Sequence, residues 1–185
     1  EALNILEISA KAAAAGMTTT DNSAKAIVAT LNAYGLGAES AARVSDALFN
    51  TVNFGVLSYE ELTGAVAHFV GTAASAGISI EEAGAALATM TLSGLSASEA
   101  GVSLNNMLSK LIKPSAALTT TVQQLGVSLD QDLKNPAIGL HGVMMQLMEV
   151  SGGNLKTLLQ WFPEIREARG ALALMSAEGE NYTRV

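Results

Sequence analysis

Apolar residues recur along most of the chain at the spacing of one buried helical face. Intervals of three and four residues separate them, which indicates α-helices with a period near 3.6 rather than strands with a period of two. The two longest examples are Leu62, Val66, Phe69, Val70 and Ala73, and Ala100, Leu104, Met107, Leu108 and Leu111. Shorter ones are Val44, Leu48 and Val52; Leu118, Val122 and Leu125; Leu140, Val143, Met144, Leu147 and Met148; and Trp161, Ile165, Ala168, Leu172 and Met175. We therefore predict an all-α fold of about eight or nine helices.

Glycines mark the ends of the predicted helices. A glycine after a helical stretch closes the last turn in the left-handed conformation without a Cβ clash. The positions with this pattern are Gly16, Gly35, Gly55, Gly77, Gly94, Gly126, Gly152 and Gly179.

Serine–glutamate pairs three residues apart mark several helix starts and predict capping boxes. The pairs are Ser58 with Glu61, Ser79 with Glu82, and Ser96 with Glu99. The segment 77–84 recurs as 94–101, with the same glycine, apolar residue and serine–glutamate pair. This repeated pattern favours an irregular multi-helix bundle of stacked helical hairpins over a true solenoid, because the spacing of the glycines is not constant.

The prolines lie at predicted element edges. Pro114 ends the helix before it, and Asn135 with Pro136 predicts a helix cap followed by the first helical residue. Pro163 either kinks the last helix or starts a new one. Residues 127–133 are predicted to form a small extended turn rather than a helix.

Composition and charge exclude several classes of protein. Of the 185 residues 49% are apolar and only 15% are charged, which excludes a disordered tail. The net charge of −7 has the wrong sign for binding nucleic acid by charge. The absence of cysteine excludes disulfides and thiolate sites.

The length fits one helical domain over residues 1–185, with residues 1–15 as a leading helix that can be a flank. Because the sequence begins without a methionine or a leader pattern, we interpret it as a piece of a longer protein. We find no run of about 18 to 20 apolar residues that would span a membrane.

The acidic pairs are the strongest candidates for chemistry, and capping explains them better. Glu60–Glu61 and Glu81–Glu82 each fall in the first turn of a predicted helix, where the dipole favours negative charge. An enzyme that uses Glu81 or Glu82 as an acid or base stays open as an alternative.

Neither histidine predicts a metal site. The positions at helical offsets from His68 are Gly64, Ala65, Gly71 and Thr72, and His141 has no carboxylate three or four residues away. No Gly-x-Ser-x-Gly motif or phosphate-binding glycine loop is present. We interpret the group Met144, Met145, Met148 and Trp161 as core. We therefore predict no catalytic, cofactor-binding or metal-binding residue.

A series of short segments in a fixed order carries a resemblance over about residues 16–179. The segments are Gly16-Met-Thr18, Leu31-Asn-Ala-Tyr-Gly-Leu36, Ala41-Ala-Arg-Val-Ser-Asp-Ala47, Tyr59-Glu-Glu-Leu62, Ala73-Ala-Ser-Ala-Gly77, Glu81-Glu-Ala-Gly-Ala-Ala-Leu-Ala-Thr89, Ser98-Glu-Ala-Gly101, Asn106-Met-Leu-Ser-Lys-Leu111, Lys113-Pro114, Gln124-Leu-Gly-Val127, Phe162-Pro-Glu-Ile165 and Gly170-Ala-Leu-Ala-Leu174. In this order they resemble the core region of bacteriophage tail tape measure proteins, the phage minor tail family.

The resemblance implies a non-catalytic structural protein of a phage or prophage tail, on which the tail tube assembles and which sets tail length and leaves at genome ejection. It implies tail tube proteins, tail tip or baseplate proteins and tail assembly chaperones as partners, with self-association also open. It places the protein in the virion tail, and in the cytoplasm of the bacterial host during assembly.

Glycines interrupt every predicted helix, whereas a molecular ruler would need long uninterrupted heptads. We therefore expect either a compact node on a longer helical protein or a segment that opens into extended helices inside the tube. A membrane-active module that assists genome passage stays open as an alternative. The positive mean hydropathy of +0.33 and the Gly/Ala-rich faces are the reason for it.

Overall fold

The computed structural model describes residues 2–176, which form eleven α-helices, one short 3₁₀-helix and no strand. The helices of the first part are α1 Ala2–Ala15, α2 Thr20–Tyr34, α3 Ala41–Phe54, α4 Tyr59–Ala76, α5 Ile80–Leu92 and α6 Ala97–Ile112, and the 3₁₀-helix is Ala38–Ser40. The later ones are α7 Ala116–Gln124, α8 Leu129–Asp132, α9 Gly139–Ser151, α10 Leu155–Trp161 and α11 Ile165–Ser176. The all-α class is confirmed.

The predicted count of eight or nine helices was too low, for two local reasons. Residues 127–133 contain α8 instead of an extended turn, because the Asp132 carboxylate accepts a hydrogen bond from the Ser128 N–H at 2.8 Å and closes one helical turn. Pro163 separates α10 from α11, so it starts a new helix rather than kinking one.

Short connections bring alternate loops together at the same end of the first six helices. At one end the Tyr34 hydroxyl, at the close of α2, donates to the carbonyl of Ile78 between α4 and α5 at 2.9 Å. At the other end the Val56 N–H, between α3 and α4, donates to the Thr91 hydroxyl near the end of α5 at 3.0 Å. These contacts fix the order in which the helices pack.

The interior is one connected cluster of buried apolar side chains drawn from both halves of the chain. Helix α4 packs between α2 and α6, α3 packs on α5, and α11 packs on α6. Residues 83–91 of α5 are all buried, which makes α5 a central helix. The largest fully buried side chains are Trp161, Tyr59, Phe69 and Phe162.

The predicted apolar faces are confirmed with one clear exception. All five positions of each of the two longest sets are buried. Ile165 is 67% exposed because it opens α11, which packs through later residues such as Ala168, Ala171 and Met175.

The left-handed conformation is confirmed at five of the predicted helix-end glycines: Gly35, Gly77, Gly94, Gly126 and Gly152. Gly179 lies outside the described residues.

The prediction of a left-handed conformation was wrong at Gly16 and Gly55. After α1 the left-handed residue is Met17, with φ of 49°, and Gly55 is extended, with φ of −92° and ψ of 177°. At both glycines the reason is close approach. A Cβ on Gly16 would lie 2.7 Å from the Tyr59 ring, and one on Gly55 would lie 2.9 Å from the Thr51 carbonyl oxygen.

The helix start predicted at Pro136 was also wrong. The Asn135 side chain accepts from the Ala137 N–H at 3.0 Å and caps a turn, and α9 begins only at Gly139, which has φ of 57°. The left-handed residue keeps this turn from continuing into the helix. Pro114 does follow the end of α6, as predicted.

Within residues 2–176, none of the helices combines the length and the apolar character that crossing a bilayer requires.

Candidate functional site

Two of the three predicted capping boxes are complete. The Ser58 hydroxyl accepts from the Glu61 N–H at 3.2 Å, and the Glu61 carboxylate accepts from the Ser58 N–H at 2.7 Å. Ser96 and Glu99 repeat this arrangement at the start of α6. In both pairs the serine hydrogen bonds lower the pKa of the glutamate, because they stabilise the charged form. Each of these two carboxylates therefore caps the helix that contains it.

The third pair is only half a capping box. The Ser79 hydroxyl accepts from the Glu82 N–H at 3.2 Å, but the Glu82 carboxylate accepts from the His141 N–H, also at 3.2 Å. A Cβ on Gly139 would collide with this carboxylate. Glu82 thus places a negative charge at the start of α9, where unpaired N–H groups and the helix dipole favour it.

Glu81 lies beside Glu82 but has a different partner. The Arg43 guanidinium donates two hydrogen bonds to the Glu81 carboxylate, Nε to Oε1 at 2.7 Å and Nη2 to Oε2 at 3.1 Å. Burial by itself would raise the pKa of Glu81, but these hydrogen bonds, a backbone hydrogen bond and the charge of Arg43 together lower it. The pair ties the start of α3 to the start of α5.

Tyr34 lies close to both carboxylates. Burial raises the pKa of the Tyr34 phenol, and the negative charges of Glu81 and Glu82 raise it further. The phenol therefore stays neutral at physiological pH and donates its proton to the Ile78 carbonyl.

A cleft of about 320 Å³ lies beside these groups, lined among others by Glu81, Glu82, Lys134 and Pro136. The Lys134 side chain covers Gly77 and pairs with Asp130. Each charged group of this cleft has a partner inside the fold, and Glu81 and Glu82 each link α5 to another helix.

The histidines lie far apart in the sequence and in different surroundings. His68 is exposed on α4, and His141 is half-buried at the start of α9, where burial lowers its pKa. No three His, Asp or Glu side chains within residues 2–176 are grouped to hold a metal ion. Trp161 and Met144 are buried, as predicted for core residues, whereas Met145 and Met148 are half-buried.

The sequence did not predict that the Glu82 carboxylate contacts the start of α9. The serine three residues before it predicted a local role, and only the glycine at the start of α9 offered a signal for the contact, because close approach of a carboxylate needs a position without a side chain.

Comparison with known proteins gives a consistent result. The family described as phage-related minor tail protein matches residues 1–179. A probable tape measure protein of Clostridium phage phiCD119 is 29% identical over 189 residues, covering 98% of this chain and 20% of that protein. The tape measure protein of Pneumococcus phage Dp-1 is 30% identical over 131 residues, covering 71% of this chain and 11% of that protein. The chain thus spans 20% or less of the length of these relatives. No solved structure matches the chain.

Proposed function

The chain belongs to the family of phage-related minor tail proteins, and on that premise we propose that it is a structural segment of a tail protein that scaffolds the tail tube and sets tail length. The observation that carries this proposal is the family match over residues 1–179, together with two relatives named tape measure proteins.

The segment works by contact and performs no reaction. This part of the proposal is supported by the use of the acidic groups as caps and ion pairs: Glu61 and Glu99 in capping boxes, Glu81 with Arg43, and Glu82 at the start of α9. Its partners are tail tube proteins, tail tip or baseplate proteins and assembly chaperones. It resides in the virion tail, after assembly in the host cytoplasm.

The segment is a compact node of stacked helical hairpins, folded as one domain, and not the ruler itself. A continuous helix of 185 residues would be about 280 Å long, whereas a compact domain of this size has a radius of gyration of about 16 Å. The longest helix among residues 2–176, α4, has 18 residues and therefore spans about 27 Å. The shared buried cluster supports folding as one unit.

Tail length in electron micrographs tests this function. In the phage or prophage that encodes the chain, one strain lacks residues 1–185 and a second carries them twice in tandem. We expect the deletion to reduce the number of tails, and the duplication to leave tail length unchanged. Tails longer by about 280 Å in the duplication strain would show that the segment measures length in extended form. Normal tails in normal number from the deletion strain would contradict a structural role.

A further inference from the structure

Three loops meet at one end of the first six helices and expose large apolar side chains there. The loops join α1 to α2, α3 to α4 and α5 to α6. We define the loop patch as Met17, Phe54, Val56 and Leu92, which are 95%, 40%, 67% and 45% exposed. Met17 and Val56 contribute little to the packing of the molecule itself, whereas Phe54 and Leu92 are partly buried and expose the rest of their surface.

Contacts between the loops hold these residues near one another. The Val56 N–H donates to the hydroxyl of Thr91, the residue before Leu92. Gly16, the residue before Met17, packs against the ring of Tyr59, which begins α4 three residues after Val56. The patch therefore belongs to a single end of the helices, formed by residues distant in sequence.

Met17 is held in a conformation that its side chain disfavours. It is the one non-glycine residue with positive φ among the described residues, where seven glycines take that conformation. A left-handed residue with a side chain costs about 1 kcal/mol, and the Met17 side chain makes little contact in return. Glycine at this position would make the fold more stable.

The side of the loop patch next to α4 is negative. The charged residues nearest to Val56 along the chain are Glu60 and Glu61, and Lys25, at the start of α2, is paired with Asp21. Arg169 of α11 lies on the other side of the patch, where it lines a surface cleft with Ser93 and Leu95. Glu60 and Glu61 lie in the first turn of α4, next to Val56, and no ion pair within the described residues neutralises them.

We propose that the loop patch docks a helical segment of another tail protein, one that carries apolar side chains on one face and lysine or arginine beside them. Apolar anchors on the partner would cover Met17, Phe54, Val56 and Leu92, and its cations would pair with Glu60 and Glu61. This inference rests on the proposed function only in assigning the partner to the tail, because the surface itself follows from exposure and charge.

A second copy of the chain is the rival occupant. Lys110, Ile112 and Lys113 combine an exposed apolar residue with two cations at the end of α6. We favour a foreign segment because only one large apolar side chain accompanies those cations, whereas the loop patch offers four to cover.

Binding of synthetic peptides to the 185-residue chain tests the proposal. One probe is an 18-residue amphipathic helix of leucine and lysine, and its matched control has glutamate at every lysine position. We expect the lysine peptide to bind about tenfold more tightly than the glutamate peptide, measured by fluorescence anisotropy, and more weakly as salt is added.

Variants of the chain locate the binding surface. The double variant Met17→Gly and Val56→Ser should lose about tenfold in affinity for the lysine peptide. The matched control is Leu3→Ser with Leu6→Ser, at two exposed positions near the start of α1, at the opposite end, and it should bind as the unmodified chain does. Met17→Gly alone should melt at or above the temperature of the unmodified chain, so that lost affinity is not lost folding.

Equal binding of the two peptides, or unchanged affinity in the loop-patch variant, would overturn the proposal. Concentration-dependent self-association that Met17→Gly abolishes in sedimentation would also overturn it, by assigning the surface to a second copy. None of these three results would change the outcome of the tail-length experiment, which tests the proposed function independently.

Discussion

Residues 77–84 and 94–101 are identical at five of their eight positions but make different contacts in the folded chain. At the start of α6, Glu99 folds back on Ser96 and remains on the surface. At the start of α5, Glu82 crosses to the His141 N–H of α9. The difference follows from position, because Glu82 is half-buried beside the start of α9, whereas Glu99 is exposed in the first turn of α6.

The glycines that close the two segments differ in the same way. A Cβ on Gly84 would meet the hydroxyl of Thr51, a side-chain atom. A Cβ on Gly101 would lie 2.9 Å from the carbonyl oxygen and 3.1 Å from the Cα of Ala65, which are backbone atoms of α4. A repeated pattern therefore predicts helix starts, while the neighbour decides what each side chain does.

The largest effect is expected from Gly101→Ala. The new methyl group would press on the backbone of α4, which cannot rotate away, and overpacking of this kind costs about 1–3 kcal/mol. Chemical denaturation should show a loss of free energy of unfolding in that range. Gly64→Ala in α4 is the control, since a Cβ there meets nothing within 4 Å, and it should gain about 0.5–1 kcal/mol. Equal effects of the two substitutions would contradict the close crossing of α4 and α6.

Glu167→Leu should stabilise the chain, because this carboxylate is buried and one of its oxygens has no hydrogen-bond partner among the described residues. Glu167 in α11 is 3% exposed, and the oxygen without a partner is Oε2. We expect a gain of about 1 kcal/mol in the free energy of unfolding. The control Glu164→Leu, at an exposed position, should change it little. A loss of stability in Glu167→Leu would contradict this prediction. It would show that the buried carboxylate stabilises the fold, as we expect for the hydrogen-bonded carboxylate of Glu82.

The variant Glu82→Ala tests directly whether the two repeated segments make different contacts. It should cost about 1 kcal/mol, since it removes a charged acceptor from the start of α9. Hydrogen exchange should accelerate at the His141 amide, 59 residues away along the chain. In Glu99→Ala, exchange should accelerate only in the first turn of α6. Unchanged exchange at His141 in Glu82→Ala would refute the tertiary contact.

The smallest expected effects are losses of stability at acid pH. Burial lowers the pKa of His141 in the folded chain, so stability should begin to fall as the pH drops below about 6.5. The pKa values of Glu61, Glu81 and Glu99 are also lowered, so the stability that their charged forms contribute is complete above about pH 4.5 and is lost below it. Thermal melts from pH 7 to pH 3 should show both phases.

Two variants assign these phases. His141→Gln should remove the phase below pH 6.5 and keep the one below pH 4.5. Arg43→Ala should shrink the second phase, because the pKa of Glu81 then loses the hydrogen bonds and the charge that lower it. A melting temperature that does not depend on pH between 7 and 3 would count against both assignments.

The fold class and the buried faces could be predicted from the sequence because they depend on local periodicity. The positions 62, 66, 69, 70 and 73 of α4 are buried as their spacing requires. The short helix α8 could not be predicted, because a single turn is too short for a periodic signal and depends on the Asp132 side chain. The prediction that Ile165 is buried was wrong, because the apolar pattern did not reveal that α11 packs through later residues.

The candidate site was less predictable than the fold. The capping roles of Glu61 and Glu99 followed from a serine three residues earlier. The partners of Glu81 and Glu82 lie 38 and 59 residues away, and no local pattern encodes such distances. The loop patch could not be predicted either, because its members come from two loops and from the ends of two helices that lie far apart in the sequence.

The sequence by itself determined that this chain is helical, where most of its helices stop, and that it lacks cysteine and excess positive charge. It also carried the resemblance to the family to which the chain belongs. These properties are local or additive along the chain. The tertiary structure alone decided which acid caps its own helix and which one reaches another, where glycine is needed for contact rather than for its dihedral angles, and which apolar residues stay outside. Those outcomes depend on which helices become neighbours, a relation between residues far apart in the chain.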